Sequence, residues 1–513
     1  MRKDLCCAGG KETMIIDGMI QGLLNISNPT ILGLMLLGIV IGLFVGFLPA
    51  VSGLLGTALM LPFIVGMEPL TALPFLLALH AVTYTGGSMT AILVNIPGTG
   101  PNAATLIDGF PMTQKGQAGR AMGAAICSSS LGGIISVFLA LAFIPLVIPL
   151  VKLLFSAEMF FVIILGLSFM AVLAGSSPIK GLMSGGLGLL FSFVGFQSTT
   201  GIPRFNFGSI FLLDGFNIIT VVIGLFAIPE LIDLATKRRS IALTETQSGK
   251  KVWGDVWEGV KDVFRHFWVF LQGTVIGYVI GVIPGVGAET APFVAYGHAK
   301  QTSKHPEKFG TGIVEGVIAP ESANNAKEAG ALLTTLAFGV PGSAVMAILL
   351  GAFFLVGIVP GPDMLTDNLD LSFTMLFGIA FANLMAGIVC LIFAPFATRI
   401  TTVHCDYLFP VILVFGLTGA YAVGVQILNL AVVIWFSIIG LFMNRFDYSK
   451  PAFLLGFVLG QLFEHYFWHA LQLQGPLFFT RPISIIIIFI VVVLFTFPFI
   501  KAALGRIFLK RQG

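Results

Sequence analysis

Between Glu328 and Asp363 the chain reads Ala-Gly-Ala-Leu-Leu-Thr-Thr-Leu-Ala-Phe-Gly-Val-Pro-Gly-Ser-Ala-Val-Met-Ala-Ile-Leu-Leu-Gly-Ala-Phe-Phe-Leu-Val-Gly-Ile-Val-Pro-Gly-Pro, with no charged side chain in residues 329–362. A helix that crosses a bilayer needs only about 20 apolar residues, so this tract holds more than one membrane element. It is also cut internally, at Gly339-Val-Pro341-Gly342-Ser343. Gly18 to Met67 and Tyr407 to Arg445 are equally poor in charge. Over the whole chain 57% of residues are hydrophobic and 10% charged, against roughly a quarter charged in soluble domains. No water-soluble fold of 513 residues covers its surface with that composition. Run lengths predict an all-α polytopic membrane protein with roughly ten to thirteen membrane elements.

The net charge of +3 is too small for nucleic-acid binding, and the bases lie in separate loops rather than on one face. They report orientation instead. Lys237, Arg238, Arg239, Lys250, Lys251 and Lys261 fill the longest polar stretch, and Lys501, Arg506, Lys510 and Arg511 close the chain. The excess of bases places the 237–261 linker and the C-terminus in the cytoplasm. Cys6, Cys7, Cys127, Cys390 and Cys405 are an odd number without metal-ligand spacing, which argues against a disulfide framework. Met14 is an alternative start that would make 1–13 an over-extension.

Two halves of the sequence run in parallel. Gly46-Phe-Leu-Pro49 precedes Ala-Val-Ser-Gly53, and Gly281-Val-Ile-Pro284 precedes Gly-Val-Gly287. Downstream come Asn95-Ile-Pro97-Gly98-Thr99 and Gly339-Val-Pro341-Gly342-Ser343, and the offsets are similar: 284 − 49 = 235 and 341 − 97 = 244. Base placement reverses between the halves. The loop after the first break lacks Lys and Arg where its counterpart has Lys300, Lys304 and Lys308; Lys115 and Arg120 face an equivalent loop bearing Asp363, Asp367 and Asp370. Opposite base placement predicts two inverted repeats.

Unwound backbone at membrane depth survives only inside protein or against a water-filled cavity, because unpaired amides and carbonyls cost several kcal/mol in hydrocarbon. The breaks therefore nominate discontinuous or re-entrant helices around a central site. Candidate substrate- or ion-binding residues are Ser88, Thr90, Asn95, Pro97, Gly98, Thr99, Gly100, Asn102, Pro341, Gly342 and Ser343. Helix N-termini there would face a carboxylate, and freed carbonyls near Pro49, Gly53, Pro284 and Gly287 would ligate Na⁺. Asn324 and Asn325, in Glu321-Ser-Ala-Asn-Asn-Ala-Lys327-Glu328, have two open readings. The segment is an interfacial loop, or it extends the second half-site with Glu321 paired to Lys327 or holding a proton. Isolated Gly166, Gly188 and Pro395 read as packing or kinks, His465 and His469 as part of an aromatic belt, and Asp214, Glu230 and Asp233 as helix-end charges. No nucleotide-binding loop ending in Gly-Lys-Ser/Thr and no nucleophile elbow suggests chemistry.

At these residues the chain resembles the large membrane subunit of the tripartite tricarboxylate transporters, the TctA-type family. The resemblance runs through Tyr84-Thr-Gly-Gly-Ser-Met-Thr-Ala-Ile-Leu-Val-Asn-Ile-Pro-Gly-Thr99, Asp108-Gly-Phe-Pro-Met112, Gly116-Gln-Ala-Gly-Arg-Ala121, Glu315-Gly-Val-Ile-Ala-Pro-Glu-Ser-Ala-Asn-Asn325 and Phe338-Gly-Val-Pro-Gly-Ser343. It departs at Ala50, where a glycine is usual, and at His80, which stands among small residues. The resemblance implies a secondary transporter of the bacterial inner membrane, driven by Na⁺ or H⁺, without a cofactor. It would import citrate or related small carboxylates with a small membrane subunit and an extracytoplasmic solute-binding protein. The domain reading is 1–26 N-terminal extension and interfacial segment, 27–236 first transmembrane half, 237–264 cytoplasmic linker, 265–445 second half, and 446–513 C-terminal spans and basic tail. The alternative function is an intramembrane enzyme acting on a lipid-linked substrate, which would need a convergent acid, base or metal constellation.

Overall fold

The computed structural model describes residues 2–48, 52–173, 177–197, 200–237, 250–283, 290–397, 405–422, 425–494 and 496. Pro49, Pro284, Gly287, linker residues 238–249 and the tail from 497 onward lie outside the described residues.

The described chain is built of helices, with one two-residue antiparallel hairpin pairing Gly195–Phe196 with Pro203–Arg204. The first half runs α1 (Arg2–Ile26), α2 (Pro29–Phe47), α3 (Gly53–Met60), α4 (Pro69–Val94), α5 (Ala103–Gln114) and α6 (Ala118–Val151). After α7 (Ser156–Leu173), α8 (Pro178–Ser192), α9 (Ile218–Val222) and α10 (Ile228–Lys237), the same succession returns. It comprises α11 (Lys250–Arg265), α12 (Phe267–Val282), α13 (Ala291–Thr302), α14 (Glu315–Phe338), α15 (Ala344–Leu355) and α16 (Leu369–Phe393). α17 (Cys405–Ala422), α18 (Leu428–Arg445), α19 (Lys450–Gln474) and α20 (Pro482–Leu494) complete it.

Among the described residues five helices are long and apolar enough to cross a membrane, or six if the pair 253–265 and 267–282, bent by 77°, counts as one span. Shorter apolar helices such as α3 and α15 supply further elements. The sequence count of ten to thirteen thus mixes full crossings with half-length pieces, because the Pro/Gly breaks divide the apolar tracts.

Local chemistry explains where the helices begin. Pro29 occupies the first position of α2, where its missing N–H costs nothing, and the Asn28 side chain accepts from Thr30 N at 2.9 Å. α4 also begins on a proline. Packing of α2 on α4 follows from three glycines at four-residue spacing: a Cβ on Gly38, Gly42 or Gly46 would run into the carbonyl oxygens of Phe75, Leu79 and Thr83. On α12, Gly273, Gly277 and Gly281 meet the carbonyls of Ala319, Ala323 and Lys327 on α14 in the same way. Without lipid-to-protein hydrophobic drive, such close backbone contact is what holds membrane helices together.

α4 and α14 cross antiparallel, since Ser88 meets Glu321 and His80 meets Glu328. This crossing is the centre of the molecule: 94% of the most apolar window of α4 is buried, against 33–44% for α2, α6 and the 369–396 span. The other elements exchange partners around it. Gly18 and Gly22 of α1 pack on Leu369 and Phe373 of α16, while Gly259 of α11 packs on Arg120 of α6, where Asp262 pairs with Arg120 at 2.5 Å. Gly166 packs on Val340 and Gly188 on the Phe453 carbonyl, in keeping with a packing role. Glu230 differs from its reading as a simple helix-end charge. It accepts hydrogen bonds from Ser52 N and Oγ at 3.1 Å and so secures the entry to α3.

Candidate functional site

Each break is a helix end, a sharp turn and a helix start. α4 stops at Asn95 in the left-handed conformation (φ 59, ψ 27), and α14 stops at Gly339 in the same one (φ 63, ψ 17). The next helical segments start behind extended residues, Thr99 (φ −132, ψ 163) and Ser343 (φ −149, ψ 168). Both correspondences fall at the same offset, 339 − 95 = 343 − 99 = 244. Asn is the residue after Gly that best tolerates a left-handed helix end, which accounts for Asn95. Its side chain is exposed and brings no group to the interior.

The Pro-Gly glycines are needed for close approach. A Cβ on Gly98 would collide with Gly87 Cα and lie 2.8 Å from Gly46 O; one on Gly342 would lie 2.8 Å from Ala331 Cα and from Gly281 O. The breaks do not meet around one cavity, as the sequence reading expects. Gly98 N bonds Gly87 O at 3.3 Å, so the first break folds back on α4, and the second folds back on α14 at Ala331. Gly87 and Ala331 each lie six residues beyond the contact between Asn325 Nδ2 and Ala81 O, which is 3.4 Å long. At the usual rise this is about 9 Å of helix in opposite directions. In the first break the Gly98 amide is taken up by its own helix, and the second break lies directly against its own helix.

Between the breaks lies a buried polar cluster. His80, Ser88, Asn102, Thr105, Glu321, Asn324, Asn325 and Lys327 are 0% exposed and Glu328 1%. Glu321 Oε2 lies within hydrogen-bond distance of Ser88 Oγ, at 2.7 Å, and Oε1 accepts from Thr105 Oγ1. Asn102 Nδ2 donates to Ser88 Oγ at 2.9 Å and to Tyr84 O at 3.1 Å, while its Oδ1 accepts from Thr99 N at 3.2 Å and Thr99 Oγ1 at 2.5 Å. The first break is thereby wired to Glu321. Lys327 Nζ donates to Asn324 O at 2.8 Å and Oδ1 at 2.9 Å, lies 3.5 Å above the Tyr84 ring, and stands 3.4 Å from Glu328 Oε1. Glu328 Oε2 is 2.8 Å from His80 Nε2. Asn325 Nδ2 donates to Thr85 Oγ1 at 3.0 Å and to Asn383 Oδ1 at 2.5 Å.

Segment 321–328 is therefore a buried stretch of helix rather than an interfacial loop, and Lys327 pairs with Glu328 rather than Glu321. Of the residues nominated from the sequence, Ser88, Thr99, Asn102, Asn324 and Asn325 come together here. Thr90 bonds back to Gly87 O at 2.9 Å, Ser343 caps α15 by accepting from Met346 N at 3.2 Å, and Gly100 is exposed. Pro97, Gly98, Pro341 and Gly342 shape the backbone. Gly53 begins α3 against the Thr83 side chain. The sequence reading passes over His80, Thr105, Glu328 and Asn383 as site residues. The signal for two of them is helical spacing: His80, Tyr84 and Ser88 recur at i, i+4 and i+8, and Glu321, Asn325 and Glu328 at i, i+4 and i+7.

Two further polar features stand apart. Asp108 Oδ1 accepts from the N–H groups of Gly310, Gly312 and Ile313 at 2.7–3.1 Å, and Oδ2 from Tyr296 OH at 2.9 Å, which ties the loop before α14 to α5. A cavity of about 200 Å³ beside Ser192, Asp214, Asn217 and Gln461 holds none of the nominated residues.

The chain matches the family model for the tripartite tricarboxylate transporter TctA family over residues 32–455. It is 34% identical over 483 residues, 93% of this chain and 95% of the relative, to an uncharacterized 52.8 kDa protein in the TAR-I ttuC' 3' region of Agrobacterium vitis. It is also 33% identical over 240 residues, 46% of this chain and 99% of the relative, to an uncharacterized protein in the TAR-II ttuC' 3' region of Agrobacterium vitis. No solved structure matches the chain.

Proposed function

The chain belongs to the tripartite tricarboxylate transporter TctA family, and on that premise we propose that it imports small organic carboxylates through the buried cluster at the α4–α14 crossing, driven by an ion gradient. The family is one of transporters, not enzymes, which sets aside the lipid-acting enzyme. A multi-pass membrane subunit is what the apolar helices and the family describe. A small membrane subunit and an extracytoplasmic solute-binding protein complete the transporter in this reading. Its place is the bacterial inner membrane, with the 237–261 linker and the C-terminus cytoplasmic.

The observation that carries the proposal is the burial of His80, Glu321, Lys327 and Glu328 together at a membrane helix crossing. Each ionisable group at such depth costs at least ~2.5–3.5 kcal/mol, and such groups line ion and substrate paths. Lys327 offers the positive charge a carboxylate needs, and the neighbouring Asn324 Nδ2 is a buried donor with no partner among the described residues. Inverted repeats are supported by the duplicated glycine contacts, the matched break dihedrals and the antiparallel α4–α14 pair. In this arrangement α3, α5, α13 and α15 are the re-entrant halves. Uptake of labelled di- and tricarboxylates into proteoliposomes, with and without the partner subunits and a gradient, is the test. No gradient-dependent uptake of any of them would refute the proposal.

A further inference from the structure

We infer that Glu321 is the proton-binding residue of this transporter, neutral in the conformation described and connected through Ser88 and Asn102 to the first break, so that H⁺ is a coupling ion. This deepens the import reading and rests on it.

Hydrogen counting at Ser88 carries the inference. Ser88 Oγ has one hydrogen, two lone pairs and three neighbours: Tyr84 O at 2.9 Å, Glu321 Oε2 at 2.7 Å and Asn102 Nδ2 at 2.9 Å. The Asn102 amide is oriented without ambiguity, because its oxygen faces Thr99 N and its nitrogen faces Tyr84 O. Asn102 therefore donates to Ser88. If Glu321 were ionised, the single serine hydrogen would stand between two acceptor oxygens and one of them would face a lone pair. With a hydrogen on Oε2, Glu321 donates to Ser88, Ser88 donates to Tyr84 O, and all three contacts are hydrogen bonds. Thr105 continues to donate to Oε1.

Charge balance gives the same assignment. Lys327 and Glu328 cancel, which leaves His80 and Glu321. His80 Nε2 faces Glu328, while Nδ1 is buried without a partner among the described residues. A protonated imidazole would leave Nδ1–H buried and unanswered, whereas the neutral ring leaves only a lone pair there. With His80 neutral, an ionised Glu321 would give the buried cluster one net negative charge; a neutral Glu321 gives none. The other titratable groups on helices packed against α14 are Tyr84 on α4, Asp108 on α5, Arg120 and Cys127 on α6, Tyr278 on α12, Tyr296, His298 and Lys300 on α13, Asp363 on the short helix Pro362–Leu365, and Asp370 and Cys390 on α16. Asp108 is engaged with the 310–313 amides and Tyr296, and Arg120 with Asp262.

The proton therefore sits one hydrogen bond from Ser88, two from Asn102 and three from Thr99 in the break. Its loss reverses the Glu321–Ser88 bond and takes the serine hydrogen from Tyr84 O.

The test needs two readouts. Infrared spectra of the purified full chain at neutral pH are expected to show the carbonyl stretch of a protonated carboxyl that E321Q lacks. In proteoliposomes holding the transporter with its partner subunits, citrate entry is expected to bring protons inward, read with a trapped pH dye. E321Q is expected to lose proton-driven accumulation at least about tenfold more than citrate exchange, a difference of about 1.4 kcal/mol. E321D, which keeps a titratable group, is expected to retain part of the proton signal. An identical carboxyl band in wild type and E321Q, or wild-type citrate uptake that moves no protons, would overturn the inference while leaving import intact. Failure of the wild type to take up any carboxylate would refute the import reading, and the infrared comparison would still decide the state of Glu321.

Discussion

Neutralising one member of the Lys327–Glu328 pair at a time tests whether the buried cluster is held by charge. Lys327 Nζ has Glu328 Oε1 at 3.4 Å, two oxygens of Asn324 at 2.8 and 2.9 Å and the Tyr84 ring at 3.5 Å; Glu328 has His80 at 2.8 Å as well. Removing one partner of a buried pair typically costs about 3–5 kcal/mol, because the other charge stays desolvated. The two substitutions are not equivalent here. In K327M the carboxylate keeps its contact with His80 Nε2, so the loss is expected near the low end of that range, about 3 kcal/mol. E328Q leaves Lys327 without its counter-ion and replaces the carboxylate that His80 Nε2 faces, and is expected at the upper end, about 5 kcal/mol. The double variant K327M/E328Q leaves no unpaired charge and is expected to be more stable than E328Q alone, with a coupling energy of roughly 1–3 kcal/mol. Equilibrium unfolding of the four purified proteins in mixed micelles measures all three terms. Single variants within about 0.5 kcal/mol of wild type, or strict additivity, would refute a cluster held by charge.

Valine at Gly98 or Gly342 is expected to abolish uptake while leaving membrane insertion intact, since even a Cβ meets backbone at both sites; wild-type kinetics at equal expression would show that these glycines are incidental. Ser343→Ala removes a helix cap and is expected to cost about 0.5–2 kcal/mol of stability. Thr99→Ala removes the hydroxyl donor to Asn102 and is expected to weaken apparent affinity by the ~0.5–1.5 kcal/mol of one hydrogen bond; equal effects of the two on affinity would contradict the separate roles. Cysteines placed at Lys115 and at Asp367 are expected to label from opposite sides of the membrane, as inverted halves require, and labelling from one side would remove the inversion.

The breaks are legible in the sequence because proline and glycine act locally: Pro97-Gly98 and Pro341-Gly342 interrupt helices wherever they stand. The partner of each break is not local, and there the sequence misleads. Counting unsatisfied backbone suggests one shared cavity, but Gly87 O accepts from Gly98 N within the same half. Asn95 misleads for another reason. A polar residue beside a break looks like a ligand, yet its tolerance of left-handed backbone is what this position uses. The polar faces of α4 and α14 are readable as four-residue spacing, but that they face each other depends on the antiparallel crossing. No spacing within one helix reports that crossing.

The two halves share a backbone plan but not its side chains, and the difference bears on function. Subtracting 244 from Glu321, Asn324, Lys327 and Glu328 gives Leu77, His80, Thr83 and Tyr84, and adding it to Ser88 gives Leu332. The charges of α14 thus have mostly uncharged counterparts on α4. Around the second break the facing residues are Ala331 and Gly281, and the Ser343 side chain serves as a cap. Around the first, Thr99, Asn102, Ser88 and Glu321 form one continuous run of hydrogen bonds. Two breaks with the same backbone geometry therefore have unequal chemistry: among the described residues the first is hydrogen-bonded through Asn102 and Ser88 to a buried carboxyl, and the second is lined by Ala331 and Gly281. In the proposed inverted repeat this asymmetry rests on a few polar side chains that differ between otherwise matching halves, and it gives proton coupling a place in one half and not the other.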